Sequence, residues 1–331
     1  MRSSALAILA LSILGWADSS LDTKRDAALK AVDACIRRNE VSSRECKKLN
    51  TNIQTLIDVY KQGDKTVLST LFKFTYLTDF YGDTLLADPQ GFLNAMSQLP
   101  EKSQKEVAIG IAGGLYGVPT KERFDTIRQL LRNIPASAPI KKTSELCLGI
   151  VERQNASFFV SYFPPQTFTS RAADFQLRWY SADMYALGEQ PLWPSPEHAT
   201  AYRLTYLPAF SDPTVITLSV SSGGEWRIAI KAIGKDRETT TLEGTAPMSR
   251  EQVTRFLGLL DRAHFWTTPT ELPTVGADGA EWIMEGNQDG KYRAVVRWCP
   301  DFERQSDEET AFAEAGRLLF DLAGHRHGRG C

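Results

Sequence analysis

Histidine is scarce in this chain, with four among 331 residues. Only His325 and His327 lie near one another, and with Cys331 they sit on a Gly-rich tail that reads as solvated and disordered. No G-x-S-x-G elbow, H-E-x-x-H helix, P-loop or Rossmann glycine fingerprint occurs. The spacing of an EF-hand loop is missing too, which leaves Asp278-Gly279 and Asp289-Gly290 as turn residues. Lysine plus arginine number 38 against 40 aspartate plus glutamate, a formal charge of -2. Without a basic run, that balance offers no field to steer nucleic acid. Beyond residue 17 no apolar segment approaches the roughly 18 residues of a membrane-spanning helix. The reading is therefore of a chain with no metal site, no cofactor, no nucleic-acid partner, no catalytic residue legible in a local motif and no transmembrane anchor.

The first seventeen residues have a different character. Arg2 supplies a positive charge, Ala5 to Leu14 form an apolar run broken by Ser12, and Gly15-Trp16-Ala17 places small residues where a signal peptidase reads. The apolar core is too short to span a bilayer, so 1–17 reads as a cleaved signal peptide and the protein as exported, periplasmic or secreted. No Cys follows Ala17, so a lipobox is missing.

In that oxidising setting the five cysteines gain meaning. On one helix, Cys35 and Cys46 would lie about 16 Å apart, beyond bridging distance. Ser42-Ser43-Arg44-Glu45 instead reads as a capping box opening a second helix, with Asn39-Glu40-Val41 ending the first. That turn sets Cys35 opposite Cys46 on antiparallel helices, the candidate disulfide; two separate buried thiols are the alternative. Cys147, Cys299 and Cys331 form an odd set with no pairing specified.

Residues 18–188 read as an all-helical domain, an irregular bundle without a repeat period. Gly63, Asp64, Asp88-Pro89, Pro100, Gly117, Thr120, Thr143 or Ser144, and Thr169 or Ser170 mark its starts and stops. The run Gly110–Gly114 lies inside a helical pattern, so close helix packing is preferred to a phosphate cradle. Pro191, Pro194 and Pro196 mark a linker at 189–199, where His198 is expected exposed. From 200 to 324 the period switches to strands, with a helix capped at Ser249, a hairpin turning at Asp289-Gly290 and a last helix at about 309–322. His264, after the Ser249 helix, is expected to be a partly buried structural residue. The order predicts an α+β domain, an antiparallel sheet with helices on one face.

The later part of this domain carries a pattern: Asp278-Gly279-Ala280-Glu281-Trp282, Glu285-Gly286, Gly290-Lys291-Tyr292 and Arg297-Trp298-Cys299-Pro300. With Arg178-Trp179-Tyr180, Tyr185-Ala186-Leu187-Gly188 and Pro191-Leu192-Trp193, it resembles an uncharacterised bacterial secreted α+β protein family. The resemblance covers about residues 165–325. It implies fold and compartment and carries no activity.

The hairpin also yields a candidate surface. A two-residue turn at Asp289-Gly290 sets Trp282 opposite Arg297, Met284 opposite Val295, Glu281 opposite Trp298 and Ile283 opposite Val296. One face would hold Ile283, Val296 and Trp298 as core. The other would hold Trp282 with Arg293 and Arg297, either a surface for a carboxylate or peptide or an ordinary Arg-over-Trp packing pair. The leading functional expectation is an exported, non-enzymatic binding or interaction protein of the bacterial cell envelope, with a protein or peptide partner there. A secreted or periplasmic hydrolase-like enzyme without a local motif is one alternative, and a small-ligand sensor using an inter-domain groove another. Intact-mass measurement of the exported protein is expected to show a chain beginning at Asp18; a soluble species retaining residues 1–17 would overturn the signal-peptide reading.

Overall fold

Short polar side chains cap two of the N-terminal helical segments. In the computed structural model, residues 21–36, 48–74, 76–117, 121–194, 200–234, 238–272, 278–300 and 306–325 are described. The expected signal peptide, Cys46, His198 and the tail beyond His325 lie outside them. Helical backbone covers 21–36 (α1). Then come α2 (Leu49–Lys61), α3 (Leu68–Leu71), α4 (Thr78–Ala87), α5 (Pro89–Ser97), α6 (Glu101–Gly117), α7 (Lys121–Arg132) and α8 (Lys141–Gln154). Gly63 takes a φ of 106° just past α2, a conformation that suits glycine. Asp64 then accepts from the Thr66 N–H, and Asp88 from the Gly91 N–H with Pro89 in the first turn. Not every start falls where expected. α8 begins at Lys141, ahead of Thr143 and Ser144, and the Ser144 hydroxyl donates back to the Lys141 carbonyl. A serine within a helix has that second option, so it does not always mark a boundary.

Packing explains the glycine run. A Cβ on Gly114 of α6 would lie 2.8 Å from the Thr78 carbonyl oxygen of α4, so the two backbones approach as only glycine permits. Tyr81 on α4 is fully buried and donates to the Leu71 and Phe74 carbonyls, tying the end of α3 down. Val32, Leu56, Val67 and Leu71 form the apolar cluster beneath α1 and α2.

The chain divides into two compact units between Glu152 and Arg153. The division falls in the last turn of α8, whereas the sequence pattern placed it at 189–199. The reason is α9 (Ala173–Ala186), whose Tyr180 and Met184 pack with Leu207, Ile283 and Val296 of the sheet. Helical period identifies α9 as a helix without naming what it covers. The segment after it is also held to the sheet: the Gln190 carbonyl accepts from Arg203 and the Leu192 carbonyl from Asn287.

The sheet has β1 (Ala201–Pro208), β2 (Thr214–Val220), β3 (Trp226–Ile233), β4 (Thr240–Pro247), β5 (Ala280–Gln288) and β6 (Lys291–Trp298). Their order is β4-β3-β2-β1-β5-β6, antiparallel at every pairing, confirming the α+β class. All four expected hairpin pairs are present: Glu281 with Trp298, Trp282 with Arg297, Ile283 with Val296 and Met284 with Val295. Asp289 and Gly290 supply the turn with φ of 50° and 78°, the left-handed pair that a tight hairpin needs.

Two helices cover one face of the sheet. They are α10 (Arg250–Arg262), opened by a full capping box at Ser249 and Gln252, and α11 (Asp307–Leu322), capped by Ser306. Phe256, Leu260, Leu319 and Phe320 from this pair meet Tyr202, Leu204, Ile216, Trp282 and Met284. The expectation placed helices on one face; α9 covers the other. His264 proves exposed rather than partly buried, and its φ of 48° ends α10, with the Phe265 N–H returning to the Leu260 carbonyl. Cys35 and Cys299 are each disulfide-bonded, and neither partner is among the described residues. Cys147 is a free, buried thiol whose pKa desolvation pushes up to about 12, which leaves it unreactive at neutral pH.

Helix α11 lies so close to β5 that a Cβ at Gly316 would fall 2.3 Å from the Trp282 ring. Gly316→Ala should therefore destabilise the protein by about 1–3 kcal/mol through overpacking. Urea unfolding checks this, and an unchanged midpoint would mean that α11 shifts freely over the sheet.

Candidate functional site

The residues expected to form a ligand surface are assembled, but under a helix. Trp282, Arg293 and Arg297 do share one sheet face, and that face is the one covered by α10 and α11. Trp282 is 1% exposed, edge-on to Tyr206 and against Phe320. Arg297 is 6% exposed. It donates to the Pro269, Thr270 and Val296 carbonyls and the Thr268 hydroxyl, with its guanidinium over the Phe312 ring. Arg293 donates to the Thr268 carbonyl. The two guanidinium groups thus hold the 268–270 backbone in place. The open aromatic-and-arginine surface is corrected to an interior packing arrangement, because α11 offers Gly316 where the indole needs room.

The opposite face of the sheet carries the polar chemistry. At its centre Arg203 on β1 faces Glu285 on β5 in a two-point ion pair, Nε to Oε2 at 2.8 Å and Nη2 to Oε1 at 2.9 Å. Burial opposes the charge on Arg203, yet Glu285 with Glu189 outweighs it and raises its pKa. The Tyr292 hydroxyl donates to Glu285, and Glu189 also pairs with Lys231 on β3. Through Glu189 and the Gln190 carbonyl this network also ties the chain after α9 to the sheet, which is a structural task.

A second polar group lies at the other end of that face, where β1 ends and β5 begins. Glu281 sits between Leu207 on β1 and Trp298 on β6, beneath α9. The fully buried Tyr180 of α9 acts on its carboxyl and favours its charged form. Gln176, one turn earlier on α9, donates to the Tyr180 hydroxyl at 3.3 Å and accepts from Ser170 at 2.8 Å. Glu271, in the connection after α10, accepts the Thr169 and Ser170 N–H groups on Oε2 at 2.9 and 3.2 Å. Oε2 of Glu281 and Oε1 of Glu271 are buried with no hydrogen-bond partner among the described residues. Desolvation, opposed by the Tyr180 hydroxyl and reinforced by the charge of Glu271, pushes the Glu281 pKa up to about 7. A carboxyl poised there can hold or release a proton near neutrality, a property that clusters at functional sites.

Aromatic rings border this group. Phe175 is 58% exposed and packs at 5.8 Å on Trp179, which in turn lies 5.3 Å from Tyr180. The sequence pattern placed Glu281 opposite Trp298 but gave no reason to join it to Glu271 or Tyr180. No motif spans those positions, and Tyr180 belongs to a helix first assigned to another domain. Among the described residues no group of three or more His, Cys, Asp or Glu could hold a metal ion, and no helix is long and apolar enough to cross a membrane.

The chain matches no family model, no curated protein and no solved structure.

The folded protein holds the Glu281 proton over a pH range in which the unfolded chain has released it. Stability must then fall as pH rises from about 4.5 to about 7, and level off above that for this group. Glu281→Gln removes this contribution, so the variant should gain on the wild type as pH rises across that window. Urea midpoints at a series of pH values decide the matter; parallel pH dependences would show that Glu281 titrates normally.

Proposed function

We propose that this protein is an exported, non-enzymatic binding protein of the bacterial cell envelope, and that its sheet-bearing unit contacts a protein or peptide partner through the outer side of α9. The observation that carries the reading is Phe175, a large aromatic left 58% in water and tilted against Trp179, next to Tyr180 on α9. Rigid aromatic side chains at a patch with a polar edge are the usual anchors of protein interfaces. Export is supported by the N-terminal pattern of residues 1–17 and by the oxidised state of Cys35 and Cys299, which suits an oxidising compartment.

Affinity capture from envelope extract tests the reading with three baits: the mature chain, Phe175→Ser, and Tyr76→Ser as a control at an exposed aromatic of the N-terminal unit. The expected result is a partner retained by the wild type and by Tyr76→Ser and lost by Phe175→Ser. Equal retention by all three baits would remove α9 from the interface.

One observation favours a second reading, a hydrolase-like enzyme. A carboxyl whose pKa burial pushes up to about 7, as at Glu281, has the state required of a general acid. Under that reading Glu281→Gln abolishes turnover of a substrate seated against Phe175 and Trp179. Under the binding reading the same substitution leaves capture intact.

A further inference from the structure

Helices α10 and α11 carry a charged groove on their outer side, away from both α9 and Glu281. It holds about 560 Å³, a volume within the range of ligand clefts. Arg255 and Arg262, seven residues apart, lie on one stripe of α10, and Glu314, Arg317 and Asp321 lie on one stripe of α11. The buried Leu259 and Leu318 form an apolar floor. Arg262 pairs with Glu314 at 3.5 Å. Arg255 and Arg317 make no hydrogen bond or ion pair among the described residues, although Arg317 is half-buried. Three guanidinium groups against two carboxylates leave the groove positive. Gly258, in the middle of α10, also lines it. Glycine weakens a helix interior relative to alanine, and at Gly114 and Gly316 a close neighbour accounts for it. At Gly258 an added Cβ would meet nothing within 4 Å, so no contact inside the protein calls for glycine there. What it provides is an open wall where an approaching chain can reach the backbone of α10.

We propose that this groove binds an acidic peptide segment, its carboxylates on Arg255 and Arg317 and an apolar side chain on Leu259 and Leu318. Charge complementarity selects the occupant: two guanidinium groups with unused donors match carboxylates, which accept two parallel N–H bonds from one fork. A nucleic acid or an anionic membrane fits less well, because Glu314 and Asp321 border the same groove and would face its phosphates. From Arg255 to Arg262 the stripe runs about 10 Å, the length of about three residues of an extended chain. A short segment with two acidic residues therefore spans it. The groove lies on the face of the sheet opposite α9, so it goes beyond the partner surface proposed there and does not depend on it.

Fluorescence anisotropy of the full chain with the fluorescein-labelled peptide Gly-Glu-Leu-Glu-Leu-Gly, at low salt, tests the site. Saturable binding is expected, weakened about tenfold or more by Arg317→Gln and by Arg255→Gln, each of which removes a charge-assisted contact. Gly258→Glu puts a carboxylate into the groove and should abolish binding. Arg227→Gln, which removes an arginine on β3, should leave it unchanged, as should Phe175→Ser on α9. Arg255 and Gly258 are exposed, so their variants keep the fold whatever Arg317→Gln does to it. No saturable binding by the wild type would overturn the site, as would an equal loss in Arg227→Gln or full retention in Gly258→Glu. Equal binding of the peptide with Gln in place of Glu, or its displacement by millimolar inorganic phosphate, would overturn the acidic-peptide occupant.

Discussion

Arg203 and Glu285 face one another across β1 and β5, at 1% and 0% side-chain exposure, and most of the sheet-bearing unit depends on that pairing. The strands are non-consecutive neighbours, so no tight turn sets their register. The ion pair does so chemically. A slip of one residue would carry Arg203 to the apolar face beneath α10 and α11, leaving a charge without a partner in the core. A buried pair of this kind adds little net stability over an apolar replacement, but removing one partner costs about 3–5 kcal/mol. Its contribution is therefore to exclude other registers. Glu189, Lys231, Tyr292 and the Gln190 carbonyl complete it, and through them the chain after α9 is fastened to the same face.

With the register set, both faces of the sheet need a cover, and the two covers differ. Under α10 and α11 the contacts are aromatic and aliphatic, with Trp282 pressed against Gly316 and Tyr202 edge-on to Phe256. Under α9 the apolar residues Ile283, Leu207 and Val296 share the surface with ionisable groups at either end. At one end the charges are matched. At the other, Glu281 and Glu271 have no cation among the groups that shift the Glu281 pKa.

Legibility in the sequence followed the range of the forces. Asp88-Pro89, Ser249 and Asp289-Gly290 act on their own few residues, and each does in the structure what its chemistry implies. The hairpin pairs of β5 and β6 followed from turn length alone. The face assignment did not. Alternation says that Trp282 and Ile283 point opposite ways, not which direction meets water, and here neither does. Ser144 and His264 mark a related limit: a polar residue near a helix end can serve as a cap, a back-bonded interior residue or a left-handed terminator, and packing selects among them.

By itself the sequence determined the α+β class, the positions of most helix starts and the register of one hairpin, because caps, turns and periodicity are settled within a few bonds. Only the tertiary structure decided that α9 belongs with the sheet, that Trp282, Arg293 and Arg297 are interior, and that burial raises the Glu281 pKa. Each of those outcomes depends on water being removed by residues distant in the chain. Thr169 and Glu271, 102 positions apart, meet in one hydrogen bond. Desolvation is a property of the whole surroundings of a group, and no local pattern of residue types encodes it.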